Sequence, residues 1–231
     1  MEEYSISRFR SRRRGLTDEQ IAAHGYRSTP AFGYQKLAKT LLGMGCTLQG
    51  VPGFYQIKEG TWTINCNPKC TGYFVPSISV HGFMQGFQIR LDHPFKKCKY
   101  IWFSSVDKLN GTPSGSPTHF VGDPTAREVL VTEGGLKATV AHCLSDKTFL
   151  AIAGANQCAS LSGALDELKQ MGCQVIYEAL DMDKLLNPNV ASGSQKILQL
   201  AKSKGFAVKQ LQWNSAYKGI DDYYLSKSKT K

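Results

Sequence analysis

Carboxylates follow two short apolar segments in the second half of the chain. Residues 129–132 are Val-Leu-Val-Thr, a β-branched apolar run, and Glu133 follows them directly with two glycines after it. Residues 174–180 form a second such segment, which ends at Asp181-Met182-Asp183. The pattern therefore places Glu133, Asp181 and Asp183 at the ends of two predicted strands. In an open α/β sheet, ligands bind at the carboxyl ends of the strands.

Three carboxylates at one sheet edge indicate a cation site. If the two strands are neighbours, Glu133, Asp181 and Asp183 meet there from distant parts of the chain. Clusters with only oxygen donors suit Mg²⁺ or Mn²⁺. Crowded carboxylates also repel one another, so a cation is needed to keep all of them ionised. We therefore predict Mg²⁺ or Mn²⁺ as the cofactor. The alternative is that Asp181 and Asp183 only end a strand and cap the next turn.

From about residue 125, segments with strand character alternate with segments of helical periodicity. The predicted strands cover residues 128–132, 148–153, 174–180 and 207–213. The predicted helices lie near residues 136–144, 161–171 and 190–204, with a short one after Gly219. This alternation is typical of a parallel sheet with helices on both faces. We predict an α/β fold class for residues 125–231.

The sequence pattern of residues 16–124 predicts a smaller α+β subdomain. Thr17 and Gln20 have the spacing of a capping box, which starts a short helix that Gly25 ends. A second helical stretch covers residues 34–42. Candidate strands follow between Gly, Pro and Asn residues, and they predict a mainly antiparallel sheet. Residues 1–15, rich in arginine, are predicted to form a separate basic arm. The candidate strands are residues 53–57, 61–64, 72–76, 84–91, 100–103 and 119–121.

The charge of the chain is positive and uneven. The 231 residues have a formal net charge of +10. Residues 1–126 carry 15 Lys and Arg against 8 Asp and Glu, whereas residues 127–231 carry 13 against 10. A basic excess away from the carboxylates indicates a polyanion partner; a merely solvated basic surface is the alternative. The candidate contacts to nucleic acid are Arg8, Arg10, Arg12, Arg13, Arg14, Arg90, Lys99 and Lys137.

Composition also suggests a compartment. The sequence has no run of 18 apolar residues, and residues 1–4 are Met-Glu-Glu-Tyr, so we expect neither a membrane span nor a signal peptide. We expect a cytoplasmic protein with its seven scattered cysteines reduced. Cys66 and Cys70 have the spacing of half a zinc site, but a structural site needs four ligands, and a loop between strands is the preferred interpretation.

The order of the motifs resembles the Toprim fold. A strand ending in Thr132-Glu133-Gly134, a second strand, and a third ending in Asp181-Met182-Asp183 resemble the metal-binding catalytic domain of bacterial primases, type IA and II topoisomerases and certain nucleases. A longer resemblance is to a Toprim-like family of phages, plasmids and other mobile elements, known largely as a domain of unknown function. Its matching segments are residues 16–21, 25–28, 50–55, 85–92, 99–105, 111–117, 132–134, 136–138, 181–183 and 218–222.

The resemblance implies a Rossmann-like Toprim sheet and roles for the three carboxylates. In Toprim enzymes the Asp-x-Asp pair binds divalent metal, and the glutamate helps to bind it or transfers a proton. Carried over, Asp181 and Asp183 are metal ligands, and Glu133 is a ligand or a general acid/base. Enzymatic Toprim domains usually continue with small residues and a glycine, whereas residues 184–189 are Lys-Leu-Leu-Asn-Pro-Asn. Lys184 could therefore supply part of the charge of the metal.

Two hypotheses of function follow. The first is a Mg²⁺-dependent protein of a mobile element that processes nucleic acid by phosphoryl transfer, as a primase or nuclease does. The second is a non-catalytic Toprim module that binds nucleic acid, or that regulates a nucleic-acid enzyme such as a host defence nuclease. The expected partner is DNA or RNA, with single strands favoured. A replication or defence protein is a further candidate partner, and no membrane is expected.

Overall fold

A computed structural model describes residues 14–67, 70–95, 98–154 and 159–228. Within them, residues 25–76 and 86–115 form one compact unit, and residues 14–24, 77–85 and 116–228 form a second. The domain boundary expected at residue 124 stays a prediction. Of the basic arm, only Arg14 and Gly15 belong to the described residues.

Strands dominate the first half of the chain, and strands alternate with helices in the second. None of the described helices is both long enough and apolar enough to cross a bilayer. In chain order the elements are α1 (Asp18–Ala23), β1 (Arg27–Ser28), α2 (Tyr34–Gly43), β2 (Phe54–Lys58), β3 (Thr61–Ile64), β4 (Gly72–Ile78), β5 (Met84–Phe95), β6 (Cys98–Trp102), β7 (His119–Val121), β8 (Glu128–Glu133), α3 (Gly135–Ser145), β9 (Phe149–Ile152), α4 (Leu161–Gln170), β10 (Val175–Glu178), a 3-10 turn (Met182–Leu185), α5 (Pro188–Ser203), β11 (Ala207–Gln210) and α6 (Ile220–Ser228).

The first unit contains a sheet of order β1-β4-β5-β6 and a separate β2-β3 hairpin. The pairs β1 with β4, β5 with β6 and β2 with β3 are antiparallel. Ile64, Cys66, Ile89, Leu91 and Phe103 form its buried apolar cluster. The antiparallel strands predicted for this part of the chain are confirmed.

Helix α1 begins as the sequence predicts. The Thr17 hydroxyl accepts a hydrogen bond from the Gln20 N–H, and the Gln20 side chain accepts one from the Thr17 N–H. This reciprocal pair satisfies two of the N–H groups that a helix start leaves without partners. The helix ends at Ala23 with His24 as its C-cap, and Gly25 follows with a φ of +71°.

The second unit is built on a five-stranded sheet of order β11-β10-β8-β9-β7. Strands β8, β9, β10 and β11 are parallel to their neighbours, and β7 pairs antiparallel with β9 at one edge. Alternate residues of β8 enter two different cores. Val129 and Val131 pack with residues of α4 and α5, and Leu130 packs with residues of α3 and α6. The predicted α/β fold, with helices on both faces of a mainly parallel sheet, is confirmed.

The connections leave β8 and β10 in opposite directions. Helix α3 follows β8 and leads to β9, whereas α5 follows β10 and leads to β11. The two helices also contribute to different cores, so they cover opposite faces of the sheet. Neighbouring strands whose connections diverge in this way leave a crevice at their carboxyl ends, where ligands of open α/β sheets bind. The fold therefore places a candidate site at the ends of β8 and β10.

Candidate functional site

The structure brings the three predicted carboxylates to this crevice. Glu133 is the last residue of β8, Asp181 follows β10, and Asp183 lies in the 3-10 turn after it. Strands β8 and β10 are direct neighbours, which is the condition that the sequence argument required. Their catalytic and metal-binding roles stay predictions.

Hydrogen bonds fix the ends of the strands. The Ala179 N–H donates to the Val131 carbonyl at 2.8 Å, and the buried Thr132 hydroxyl donates to the Ala179 carbonyl at 3.0 Å. On the other side of β8, the Gly134 N–H donates to the Ile152 carbonyl at 2.7 Å. The backbone next to Glu133 and Asp181 is therefore held by the sheet rather than by a free loop.

Gly134 turns the chain from β8 into α3. Its φ is +86°, a conformation that side chains with a Cβ rarely adopt, and its ψ is 121°. Helix α3 begins at the next residue, so Lys137 falls in its first turn. This turn explains how Glu133 at a strand end and Lys137 on a helix can both face the crevice.

Two lysines approach the aspartates from different elements. Lys137 Nζ donates to Asp181 Oδ1. Lys218 Nζ, from the loop before α6, lies 2.7 Å from Asp183 Oδ2 and 4.0 Å from Asp181 Oδ2. We call the set of Glu133, Lys137, Asp181, Asp183 and Lys218 the carboxylate crevice.

Sequence reasoning found four of these five residues. It placed Lys137 among the candidate contacts to nucleic acid, and the structure shows that Lys137 Nζ contacts Asp181. It missed Lys218 as a site residue, although Lys218 begins the last segment of the family resemblance. Its position is set by the backbone, because the Met182 N–H donates to the Lys218 carbonyl at 2.9 Å.

Burial and neighbouring charges of opposite sign have opposing effects on the pKa values of Glu133 and Lys218. Burial raises the pKa of Glu133, and the charges of Asp181 and Asp183 raise it further, while Lys137 and Lys218 lower it. The hydrogen bond to Asp183 raises the pKa of Lys218 against the effect of burial. The Lys218 side chain is 66% exposed, so its ion pairs are screened by water.

The donor set fits a hard cation such as Mg²⁺. Among the described residues, Asp183 Oδ1 is a buried oxygen without a hydrogen-bond partner. Within the same residues, no three His, Cys, Asp or Glu side chains lie together as a ready metal cluster. Mg²⁺ is commonly held by one or two carboxylates, with waters and substrate phosphates as the other ligands. Asp181 and Asp183 can meet that requirement.

Asp221 lies buried beside the crevice at the start of α6. Burial raises its pKa, and the charges of Lys137 and Arg14 lower it. Arg14 Nη1 donates to Asp221 Oδ2 at 2.9 Å, so this arginine of the predicted arm contacts a buried carboxylate. A Cβ at Gly219 would collide with Asp221 Oδ1 and lie 3.3 Å from Lys137 Cε, so a larger residue there would displace these side chains.

Lys184 does not compensate the aspartates. Its Nζ lies 2.9 Å from Glu178 Oε2, 3.2 Å from Glu178 Oε1 and 2.9 Å from the Leu211 carbonyl. The side chains of Lys184 and Glu178 are 2% and 0% exposed. The Leu180 N–H completes the set by donating to Glu178 Oε1 at 2.7 Å. Sequence reasoning missed this buried pair, for which a glutamate inside an apolar strand was the available signal.

The other predicted nucleic-acid contacts belong to the first unit or lie outside the described residues. Arg90 Nη1 donates to the Lys99 carbonyl at 3.1 Å, and its guanidinium carbon lies 5.0 Å from the Tyr100 ring centroid. Lys99 is exposed on β6. Arg8, Arg10, Arg12 and Arg13 lie outside the described residues. A role in nucleic-acid binding stays a prediction for all of them.

Cys66 is a buried thiol in the apolar cluster of the first unit. Burial, with a smaller contribution from Cys70, raises its pKa to about 12. Zinc binds the thiolate form of cysteine, which this environment disfavours. Cys66 and Cys70 lie between β3 and β4 in the chain, and a zinc site there stays a prediction.

Comparisons with known proteins give the family model and the fold. Residues 121–231 match the model of a family described as a domain of unknown function, DUF3854. No curated protein matches the chain. The zinc-binding and RNA polymerase domains of the Aquifex aeolicus primase are similar, with 15% identity and a TM-score of 0.69 over 98% of this chain and 53% of that chain. The fold is primase-like.

Two further solved structures have the same primase-like fold. The DnaG primase catalytic domain bound to single-stranded DNA shows 15% identity and a TM-score of 0.64, over 98% of this chain and 71% of that chain. The RNA polymerase domain of Mycobacterium tuberculosis DnaG in complex with double-stranded DNA shows 16% identity and a TM-score of 0.66, over 97% and 70%. This chain spans about half the length of the Aquifex chain.

Proposed function

We propose that the chain processes nucleic acid by Mg²⁺- or Mn²⁺-dependent phosphoryl transfer of the primase or nuclease type. The observation that carries this proposal is the carboxylate crevice. At the diverging connections of a primase-like fold, it gathers Glu133, Asp181 and Asp183 with two lysines. Solved structures of similar fold include primase domains bound to single-stranded and double-stranded DNA, which supports the same ligand class for this chain.

Each crevice residue has a role that its surroundings support. Asp181 and Asp183 would hold the cation, which neutralises charge on a phosphate when bound. Glu133 would be a further ligand or a general acid/base. Burial raises the pKa of Glu133, and a carboxyl is a better acid/base catalyst when its pKa is closer to the working pH. Lys137 and Lys218 would contact phosphate oxygens.

Basic residues elsewhere would bind the nucleic-acid backbone. The net charge of +10 favours a polyanion. Arg90 and Lys99 in the first unit, and the arginines between residues 8 and 14, are the proposed contacts. The resemblance to proteins of phages, plasmids and other mobile elements supports a role in the replication or processing of such elements.

The test compares wild type with Asp181→Asn/Asp183→Asn. Both proteins are incubated with single-stranded DNA, nucleotides and Mg²⁺ or Mn²⁺, and the products of primer synthesis and strand cleavage are resolved on gels. We expect wild type to form product only with the metal, and the variant to lose at least about a hundredfold in rate, the order typical of losing electrostatic stabilisation. DNA affinity, measured by fluorescence anisotropy, should be retained.

The matched control is Asp107→Asn/Asp146→Asn. Both residues are exposed and have positive φ values of 63° and 55°, a conformation that asparagine tolerates. The control therefore removes the same charge without touching the crevice, and it should retain full activity. Equal activity in wild type and in the crevice variant would contradict the proposal.

A non-catalytic nucleic-acid-binding module is the second candidate. The observation that favours it is the pairing of both aspartates with lysines, which compensates their charge without metal. In that case the chain binds DNA or RNA, or a nucleic-acid enzyme, and the crevice variant changes neither product formation nor metal binding.

A further inference from the structure

The two aspartates of the carboxylate crevice already have cations beside them. Lys137 engages Asp181 Oδ1, and the side chains of this pair are only 17% and 10% exposed. Lys218 spans both aspartates, at 2.7 Å from Asp183 and 4.0 Å from Asp181. The crevice thus holds two ammonium groups against the two carboxylates that the proposed metal would need.

The nearby basic residues Lys184 and Arg14 are committed to other carboxylates. Lys184 is tied to Glu178 by two contacts, and Arg14 donates to Asp221. Neither can replace Lys137 or Lys218 without leaving a buried acid unpaired, which is costly. Among the residues that the structure describes, charge compensation of Asp181 and Asp183 therefore depends on Lys137 and Lys218.

A metal ion entering the crevice must compete with these lysines. The Lys137–Asp181 pair is shielded from water, where opposite charges attract more strongly than at an exposed surface. Mg²⁺ also gives up its water ligands reluctantly and prefers sites that include phosphate oxygens. A phosphate offers the lysines an alternative partner and Mg²⁺ additional ligands.

We propose that Lys137 and Lys218 are built-in counterions that occupy the aspartates until a nucleic-acid phosphate draws them away. Divalent metal then binds well only together with the phosphate. This inference rests on the proposed function for the identity of the cation and the ligand. It adds an order of binding and assigns the specific residues that impose it.

The experiment measures Mg²⁺ affinity without any catalytic readout. Titration calorimetry at constant ionic strength compares wild type with Lys137→Met/Lys218→Met, in the absence and presence of oligothymidylate. Without DNA, we expect the variant to bind Mg²⁺ at least about tenfold more tightly than wild type. Oligothymidylate should tighten Mg²⁺ binding by wild type by a larger factor than it tightens binding by the variant, because only wild type has the two lysines for the phosphate to draw away.

The matched control is Lys147→Met/Lys202→Met, which removes two exposed lysines of the same unit. Its Mg²⁺ affinity should equal that of wild type, so that a general loss of positive charge is separated from loss of the crevice lysines. Lys137→Met/Lys218→Met/Asp181→Asn should lose the gain in affinity, because it lacks a carboxylate ligand.

Measurement of Tm on the single variant Lys218→Met tests the inference even if Lys137→Met/Lys218→Met does not fold. Lys218→Met changes a side chain that is 66% exposed and should fold normally. Mg²⁺ should raise its Tm more than it raises that of wild type, because a ligand that binds only the folded state stabilises it. An equal response of Tm in both proteins would overturn the counterion role of Lys218.

The remaining outcomes separate this inference from the proposed function. If wild type binds Mg²⁺ without DNA as tightly as the lysine variant does, the counterion role is wrong and the proposed function stands. If neither protein binds Mg²⁺ with or without DNA, both are wrong. If DNA leaves the affinity of wild type unchanged while the variant binds more tightly, phosphate does not draw the lysines away, and the proposed order of binding is overturned.

Discussion

His119 is a buried histidine whose two ring nitrogens both have partners. The Ile78 N–H donates to Nδ1 at 3.2 Å, so Nδ1 is an acceptor and Nε2 carries the proton. Nε2 lies 3.1 Å from the Thr139 hydroxyl, which itself donates to the Gly135 carbonyl at 3.2 Å. Burial lowers the pKa of His119 to about 3, with smaller contributions from His24 and His142. The ring is therefore neutral in the folded protein near neutral pH.

This lowered pKa predicts a loss of stability in mild acid. Below the ordinary histidine pKa of 6.5 the unfolded chain binds a proton that the folded chain does not accept until about pH 3. Stability therefore falls as the pH drops through this window, by up to about 1.4 kcal/mol per pH unit. Urea unfolding at pH 7.5, 6.5 and 5.5 measures the slope.

The control for this prediction is His119→Gln, which cannot be protonated. We expect the variant to be less stable at pH 7.5, because it loses buried contacts of the ring, and the part of the slope due to His119 should disappear between pH 6.5 and 5.5. Equal slopes in the two proteins would show that another group causes the acid sensitivity.

The buried ion pair of Glu178 and Lys184 should contribute to the stability of the fold. Lys184→Met leaves the fully buried Glu178 without its cation, and we expect the free energy of unfolding to fall by about 3–5 kcal/mol. Glu178→Gln/Lys184→Met, which removes both charges, should recover part of this loss. Urea unfolding of both variants and of Lys202→Met, whose side chain is exposed, gives the comparison. A double variant no more stable than the single one would contradict the role of charge.

Residue types predicted where the acids of the site lie but not what they contact. The strand ends could be recognised at Glu133 and Asp181 because apolar β-branched runs stop there. The partners could not, because Lys218 reaches Asp183 from a loop 35 positions later in the sequence. Likewise, Lys184 is one residue from Asp183, yet its side chain pairs with Glu178. Side-chain direction and loop packing decide these contacts, and spacing alone does not encode either.

At the scale of elements, hydrophobic periodicity was sufficient for most of the second unit. Strands β8 and β9 and helices α3 and α4 were predicted within two residues of their observed ends. Their order in the sheet was not predicted, because one sequence does not show which parallel strands are neighbours. Residues 77–85 belong to the second unit although they include the end of β4 and the start of β5, and no shift in composition marks these boundaries.

The β8–α3 connection makes a prediction about backbone conformation. Gly134 has a φ of +86°, and its position has space for a methyl group, so Gly134→Ala tests conformation without steric overlap. We expect a loss of about 1–3 kcal/mol in the free energy of unfolding, the cost of holding alanine in this region. Because the same turn sets the positions of Glu133 and Lys137, Mg²⁺ binding should weaken as well.

Gly163 provides the control for this prediction. It lies in α4, where an added Cβ would meet no neighbouring atom within 4 Å, and it has no positive φ. Alanine there should stabilise the protein by about 0.5 kcal/mol, because it favours the helix over the unfolded chain. The opposite signs of two Gly→Ala changes would identify backbone conformation as the cause. Losses of equal size in both variants would contradict it.

At the scale of the whole molecule, charge and site are distributed unequally. The acidic groups of the carboxylate crevice lie in the second unit, whereas residues 1–126 carry most of the excess positive charge. A nucleic acid held by the proposed basic contacts would be bound through its phosphates, which makes its affinity depend on salt. Composition could predict this dependence, but not which basic residues cause it.

The arginines at positions 8, 10, 12 and 13 are proposed to contact the phosphates of a nucleic acid. If they contact phosphates, replacing all four with glutamine should weaken binding to oligothymidylate and flatten the plot of log affinity against log salt concentration. Each lost contact should reduce the slope by about 0.7, and four contacts by about 3. Fluorescence anisotropy between 50 and 300 mM NaCl (roughly the range in which such slopes are resolved) measures both quantities.

The control replaces the exposed residues Lys36, Lys39, Lys147 and Lys202 with glutamine, which removes the same charge from other surfaces. Equal slopes for the two fourfold variants would mean that the arm contributes only general charge, and a selective loss in the arginine variant would establish it as a direct contact to the strand.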